Sequence, residues 1–160
     1  MKKIKPPEKK AGIWLDQETA YIIHLEDEAA PVVEKLVSGV ESRIRVPGEG
    51  KVMARFGQSF LNDQEKKQQR QRNQRQHFFK NLIAHLQQDQ FLYLFGPGKA
   101  KEGLNNVIEK EKGLAGRVTA IETTDKLTRK GAMQQAVSYF NGEAFRIFKK
   151  NRKKALKAAG

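Results

Sequence analysis

Carboxylates that follow predicted strands are the first residues in this sequence to consider for catalysis. Asp16 lies near the end of the first predicted strand, and Glu122 and Asp125 follow a later one. Metal-dependent cleavage of nucleic acid needs several carboxylates that converge on two metal ions. Since Asp16 falls in a hairpin turn and Asp125 is typical of a helix cap, we do not expect a nuclease of this kind.

The histidines and the lack of cysteine argue against a metal centre. The chain has no cysteine, which excludes disulfides and thiol nucleophiles. His24 stands alone, and His77 and His85 are eight positions apart, which is not the spacing of a two-histidine site on one helix. We therefore predict no metal and no cofactor.

The segment GPGKAK (96–101) has the appearance of a phosphate loop. It lacks the GxxxxGK[ST] spacing, and no Ser or Thr follows Lys99. Backbone N–H groups at a helix start could still bind a phosphate of RNA, with Lys99 beside them. The alternative interpretation is a tight strand-to-helix turn that requires glycine.

Segregated positive charge is the strongest compositional signal. The chain carries 31 Lys and Arg against 18 Asp and Glu, a net charge of +13. Residues 43–80 and 146–160 each carry a net charge of +7, whereas residues 11–42 carry −6. Charge of this size and distribution indicates a polyanion as partner.

We predict that the cations of these basic segments contact ribosomal RNA or tRNA. They are Arg43, Arg45, Lys51 and Arg55 on a loop, Lys66, Lys67, Arg70, Arg72 and Arg75 on a polar helix, Lys99 after a strand, and Lys149, Lys150, Arg152, Lys153 and Lys154 in the C-terminal segment. Phosphate contacts position a protein without reading sequence. Because few aromatic residues are interleaved with the basic runs, a stacking platform for single strands is not indicated.

Periodicity predicts the order of elements. Residues 13–15 and 20–25 form a hairpin, and 32–37 form a third strand that 42–46 could extend or to which they could add an edge strand. Residues 91–95 and 117–121 form two further strands. A helix begins at Leu61, capped by Asn62 or Asp63, and becomes apolar only from Phe78. A second helix is predicted from the GPGKAK segment to about Lys112. A third is predicted from Lys126 to Phe140, with Thr124 or Asp125 as its cap.

This order, β-β-β-α-β-α-β-α, predicts an α/β fold: a five-stranded mixed sheet with flanking helices, of ribonuclease-H-like layout. We expect residues 1–10 to be a basic disordered arm. Residues 11–142 should form the domain, from which a basic loop and helix (47–77) project. Residues 143–160 should form a basic C-terminal tail, helical in conformation.

Five segments resemble a family of small bacterial proteins often called translational machinery proteins. These are GIWLDQETAYIIHL, FFKNLIAHL, FLYLFGPGKAK, AIETTDKLT and AVSYF, within about residues 11–141. The family is related to the middle domain of class-1 peptide-chain release factors and of Pelota. The resemblance implies a ribonuclease-H-like fold and a role at the ribosome.

The resemblance also assigns a role to Gly57 and Gln58. Release factors hold a Gly-Gly-Gln loop that promotes hydrolysis of peptidyl-tRNA, and Gly57-Gln58 falls at the corresponding place before a basic helix. Phe56 replaces the first glycine of that motif, and its Cβ restricts the backbone. Pelota-type relatives lack the motif and do not hydrolyse.

Three functions therefore stay open. We expect an RNA-binding, translation-associated protein that docks on the ribosome or tRNA, in rescue, hibernation or assembly, rather than an enzyme. The alternatives are a peptidyl-tRNA hydrolase that uses Gln58 and a structural adaptor for an acidic protein partner. No apolar run approaches the roughly 18 residues of a membrane span, and no signal-peptide pattern is present, so we expect a soluble, cytoplasmic protein without a membrane partner. The sequence makes no prediction of oligomeric state.

Overall fold

The computed structural model describes residues 8–39 and 57–159. Within these residues the strands and helices follow one another in the predicted order, and the last helix is the predicted helical C-terminal tail. They are β1 (Lys9–Leu15), β2 (Thr19–Glu26), β3 (Val32–Val37), α1 (Gly57–Ala84), β4 (Phe91–Gly96), α2 (Ala100–Lys110), β5 (Val118–Thr123), α3 (Arg129–Phe140) and α4 (Glu143–Ala159).

The five strands form one mixed sheet in the order β3-β2-β1-β4-β5. β1 pairs antiparallel with β2, and β2 pairs antiparallel with β3. β4 lies parallel to β1 on its other side, and β5 lies parallel to β4. The prediction of an α/β fold with a five-stranded mixed sheet and flanking helices is confirmed. The narrower name of ribonuclease-H-like layout stays a prediction.

Side chains alternate between two buried layers along the central strands, as the pleat requires. Ile13, Leu15, Leu92 and Leu94 belong to the layer that α1 and α2 cover. Trp14, Tyr93 and Phe95 belong to the layer that α3 and α4 cover. The continuous apolar run 91–95 is thus the strand buried on both faces that its composition predicts.

The second layer is aromatic and tightly packed. The rings of Tyr93 and Tyr139 stack with centroids 3.9 Å apart, and Phe95 stacks on the other side of Tyr93 at 4.6 Å. The Tyr93 hydroxyl donates a hydrogen bond to Glu122 Oε2 at 2.7 Å and accepts one from Gln135 Nε2 at 3.1 Å. Burial raises the pKa of Tyr93 well above its ordinary value, so the phenol stays protonated and can donate.

α3 approaches the sheet closely at Gly12. A Cβ built on Gly12 would lie 2.5 Å from Cβ of Ala136, well inside van der Waals contact. Glycine in β1 opposite alanine in α3 therefore sets the spacing between this helix and the sheet.

Several predicted boundaries are wrong by a few residues. β1 begins at Lys9, so Lys9 and Lys10 belong to the sheet rather than to an N-terminal arm. α1 begins at Gly57 rather than Leu61, and Glu122 lies inside β5 rather than after it. The proposed strand extension at residues 42–46 lies outside the described residues.

The cap of α3 also differs from the prediction. The helix begins at Arg129, and the Thr128 side chain accepts a hydrogen bond from the Gly131 N–H at 3.0 Å. Thr124 and Asp125, the predicted caps, lie in the connection that precedes it.

Candidate nucleic-acid interface

The inner face of α1 changes its chemistry at Phe78. From Phe78 this face is apolar and buried in the first core layer, through Phe78, Phe79, Leu82 and Ile83, and Leu86 just after the helix joins the same layer. One, two and three turns earlier, the same face carries Arg75, Gln71 and Gln68. The apolar stripe therefore ends at Phe78, although the helix continues for five further turns toward its N-terminus.

Residues 62–77 of α1, here called the stalk, have no buried member. Five predicted RNA-contact residues lie on it: Lys66, Arg70 and Arg72 are exposed, and Lys67 and Arg75 are half-buried. At about 1.5 Å of rise per residue, the 28 residues of α1 extend about 42 Å, roughly twice the length of six-residue β4. Folding thus leaves the stalk polar and open to a partner.

The Gly57-Gln58 pair lies in the first turn of α1 and not in a preceding loop. The hydrolase interpretation places this pair in a loop, so the structure differs from it at this point. Phe56 and the predicted loop cations Arg43, Arg45, Lys51 and Arg55 lie outside the described residues.

α4 supplies the second basic surface, and an aromatic anchor fixes it to the domain. Phe145 is 2% exposed and packs edge-on against Phe140 and Phe91, with centroids 4.9 and 5.1 Å away. The predicted C-terminal tail is therefore helical, and its first turn is part of the second core layer. α4 carries seven basic residues and one acid.

The five predicted RNA-contact residues of α4 differ in their surroundings. Lys149 is half-buried: its Nζ lies 2.9 Å from Glu8 Oε2 and 5.4 Å from the centroid of Phe145. The guanidinium of Arg152 lies over the ring of Phe91, 5.5 Å from its centroid. Lys150, Lys153 and Lys154 are exposed. Phe91 precedes these cations by about 60 positions, so the linear pattern of aromatic and basic residues does not predict this contact.

The loop after β4 fits a tight turn better than a phosphate site. Gly96 has φ of +145°, and a Cβ there would lie 2.2 Å from the carbonyl oxygen of Leu15. Lys99 is exposed at the N-cap of α2, and the shallow pocket beside it is lined by two acids, Asp16 and Glu18, that balance Lys99 and Lys126. Lys101, which the sequence did not single out, is buried and donates from Nζ to the carbonyl of Gly98.

A cluster of two histidines and two acids joins the sheet to the C-terminal end of α1. His24 Nδ1 lies 3.2 Å from Asp89 Oδ2, and His85 Nδ1 lies 2.9 Å from Glu34 Oε2. Spacing along the sequence gives no signal for these pairs, which lie 65 and 51 positions apart. In residues 8–39 and 57–159, no group of three or more His, Cys, Asp or Glu residues could hold a metal ion.

Comparisons with known proteins detect similarity only among solved structures. No family model matches the chain, and no curated protein matches it. Pelota of Archaeoglobus fulgidus is similar at a TM-score of 0.51 and 14% identity, over 94% of this chain and 36% of that one. The archaeal translation termination factor aRF1 is similar at a TM-score of 0.43 and 16% identity, over 94% and 39% of the two chains.

The likeness to Pelota establishes a shared fold. This chain spans little more than a third of the Pelota chain, so the similarity concerns one part of that protein. No helix in the described part of the chain is long and apolar enough to cross a membrane.

Proposed function

We propose that this protein docks on the ribosome through ribosomal RNA or tRNA and acts in translation, in rescue, hibernation or assembly. The observation that carries the proposal is the change of α1 at Phe78 from a core-packing helix to a cationic stalk with no buried residue. Packing in the core does not explain why this segment is rich in cations, whereas contact with a phosphate backbone does.

The fold supports a translation factor over other basic proteins. Pelota shares the fold, and the sequence resembles relatives of Pelota and of release factors. α4 adds a second basic surface on the other face of the sheet from α1, because α1 packs in the first core layer and α4 in the second. Two such surfaces suit a partner that is large compared with this domain, as the ribosome is.

The proposal is tested by co-sedimentation with ribosomes of the same organism at low and near-physiological salt. The test variant reverses Arg70, Arg72 and Arg75 to Glu. The matched control reverses Lys112, Lys126 and Lys130, which are exposed and lie off both basic surfaces, and it changes the net charge by the same amount.

Loss of three phosphate contacts should weaken binding at least about tenfold and make the salt dependence shallower by about two to three units of log–log slope. The control should bind nearly as the wild type does. Equal binding of the two variants would show that the stalk is not the contact. Loss of wild-type binding at modest salt would show unspecific attraction to polyanions.

Peptidyl-tRNA hydrolysis stays a separate prediction with its own assay. It requires release of labelled peptide from ribosome-bound peptidyl-tRNA, and this release must be abolished by Gln58→Ala. The helical setting of Gly57-Gln58 does not favour it. An adaptor for an acidic protein would instead give co-purification with that protein after nuclease treatment.

A further inference from the structure

A groove beside α4 combines an aromatic ring with four cations. It has a volume of about 420 Å³ and lies between α4 and the starts of β4 and β5. Phe91, Arg117, Lys149, Arg152 and Lys153 line it, and none of the described residues that line it is acidic, although Glu8 pairs with Lys149 at 2.9 Å. Its volume is within the range of about 300–1,000 Å³ that is usual for pockets that bind small molecules.

We propose that this groove binds one unstacked nucleotide of single-stranded RNA. The inference deepens the proposed function, on which it rests for its partner class: the stalk would supply contacts to the phosphate backbone, and the groove would take a base.

The ring of Phe91 is held in place but is not fully covered. Phe145 and Phe148 meet it edge-on, with centroids 5.1 and 6.4 Å away, and this contact fixes the plane of the ring. Phe91 itself is only half-buried at the start of β4. The guanidinium of Arg152 lies 5.5 Å from the ring centroid. Lys149 Nζ also lies over this ring, 5.9 Å from its centroid. A nucleic-acid base would therefore stack on the exposed guanidinium of Arg152 or take the place of these cations on the ring.

The cations are positioned around the ring from two sides. Lys149, Arg152 and Lys153 are at spacings of three and four in α4 and so share one face of that helix. Arg117 lies opposite, at the start of β5, where its Nη1 donates to the carbonyls of Gln87 and Asp89 at 3.0 and 2.9 Å. These two bonds fix the guanidinium, and its other N–H groups have no partner in the described residues.

The shape of the groove favours a single strand. A base within a duplex has both its faces stacked and cannot lie on Phe91, whereas an unpaired base can enter a concave site and leave its phosphate among the cations. An acidic peptide would use the same cations but would gain little from the aromatic ring. The ring therefore distinguishes these two partner classes.

The test measures binding of the full chain to a labelled ten-nucleotide single-stranded RNA, to an RNA duplex of equal length and to an oligoglutamate peptide. Phe91→Leu removes the ring and keeps an apolar side chain, and Arg152→Gln removes the guanidinium. Lys150→Gln is the charge control: it removes one charge from the same helix, at a predicted RNA-contact residue that does not line the groove, so its loss measures the effect of charge alone.

Phe91→Leu should weaken single-strand binding about five- to 150-fold, the range that base stacking on an aromatic side chain supplies. Arg152→Gln should weaken single-strand binding more than Lys150→Gln does. The affinity of Phe91→Leu for the duplex should equal that of the wild type. Far-UV circular dichroism and urea unfolding show whether this variant is folded. If Phe91→Leu does not fold, the comparison of Arg152→Gln with Lys150→Gln alone tests whether the groove binds the single strand.

Three outcomes would overturn the inference. Equal, small losses in Arg152→Gln and Lys150→Gln, with no loss in Phe91→Leu, would mean that only charge acts. Tighter binding of oligoglutamate than of RNA, insensitive to Phe91→Leu, would assign the groove to an acidic protein. Single-strand binding that depends on the stalk reversal alone would place the contact on α1.

These experiments give a different result if the proposed function is wrong and the groove still binds RNA. In that case the wild type does not sediment with ribosomes, yet Phe91 and Arg152 still govern binding of the single strand. The groove would then serve another single-stranded RNA.

Discussion

The imidazole of His24 lies 3.2 Å from the carboxylate of Asp89, an ion pair that ties β2 to the loop after α1. Asp89 is 4% exposed, whereas about a quarter of the His24 side chain is open to solvent. On its other side, His24 Nε2 lies 3.6 Å from Glu34 of β3. The pair thus fixes the C-terminal end of α1 against the far half of the sheet.

This pair predicts that stability depends on pH. The hydrogen bond with Asp89 is the main cause that raises the pKa of His24 above 6.5, and Glu34 adds to it, while burial opposes it. A raised pKa in the folded state means that protonated His24 stabilises the protein. This contribution is complete below the unfolded-state pKa of about 6.5 and is lost as pH rises through the folded-state pKa.

Urea unfolding of the wild type and His24→Gln between pH 5.5 and 8.5 measures this contribution. The difference in unfolding free energy should be largest at the acid end and should shrink as pH rises. Asp89→Asn should remove most of the same pH dependence, since it removes the main cause. A difference between wild type and His24→Gln that stays constant with pH would show that the pair does not raise the pKa.

Gly12→Ala should destabilise the protein by about 1–3 kcal/mol, the usual cost of added volume in a close-packed core. The new Cβ would lie 2.5 Å from Ala136, and α3 would have to move. The control is Gly113→Ala, where the nearest atom is 4.0 Å away, and it should stay within about 0.5 kcal/mol.

A double-mutant cycle verifies the cause of that loss. Ala136→Gly should partly rescue Gly12→Ala, because it removes the methyl group that the new Cβ meets. Additive losses in Gly12→Ala and Ala136→Gly would contradict the close approach.

Thr128→Ala should cost about 1 kcal/mol of unfolding free energy, because it removes the side-chain cap on the Gly131 N–H. Asp125→Ala should stay within about 0.5 kcal/mol, since Asp125 lies outside the helix and is exposed. Thermal or urea unfolding of the two variants measures both. A larger loss in Asp125→Ala than in Thr128→Ala would indicate that α3 begins at the position that the sequence predicts.

Tyr93→Phe should cost about 1–2 kcal/mol, because it removes a hydroxyl that bonds to both Glu122 and Gln135 while keeping the stacked ring. Tyr21→Phe is the control: its ring packs against Trp14, and its hydroxyl has no hydrogen bond within the described residues. Urea unfolding measures both variants. A lower midpoint for Tyr93→Phe with an unchanged slope would indicate that the loss comes from these hydrogen bonds, whereas an equal loss of unfolding free energy in Tyr21→Phe would exclude this cause.

The order and pairing of elements follow from features that the sequence displays locally. The apolar run 91–95 predicts a strand covered on both faces, and the structure places Leu92 and Leu94 in one layer and Tyr93 and Phe95 in the other. Apolar periodicity that begins at Phe78 likewise predicts where α1 meets the core.

Boundaries are harder to predict where several residues carry the same signal. Three cap-forming side chains, Thr124, Asp125 and Thr128, stand within five positions, and composition does not rank them. At α1 the polar residues before Phe78 have no periodicity, so the cap-like Asn62 and Asp63 set the predicted start in place of Gly57.

The features of greatest functional interest are long-range. Phe91 meets Arg152, and His24 meets Asp89, because the sheet and its crossovers bring distant segments together. Propensity and spacing describe neighbours along the chain and carry no information on such pairs. The cations themselves were evident from the sequence, but the ring among them was not.

The end of the apolar stripe at Phe78 has an evolutionary consequence. No residue of 62–77 is fully buried, so exchanges among good helix formers at its exposed positions should leave the free energy of unfolding almost unchanged. Most mutations elsewhere are limited by the stability threshold below which a protein no longer folds. The exposed positions of the stalk are largely exempt from that limit, and natural selection can adapt them freely to a different binding partner.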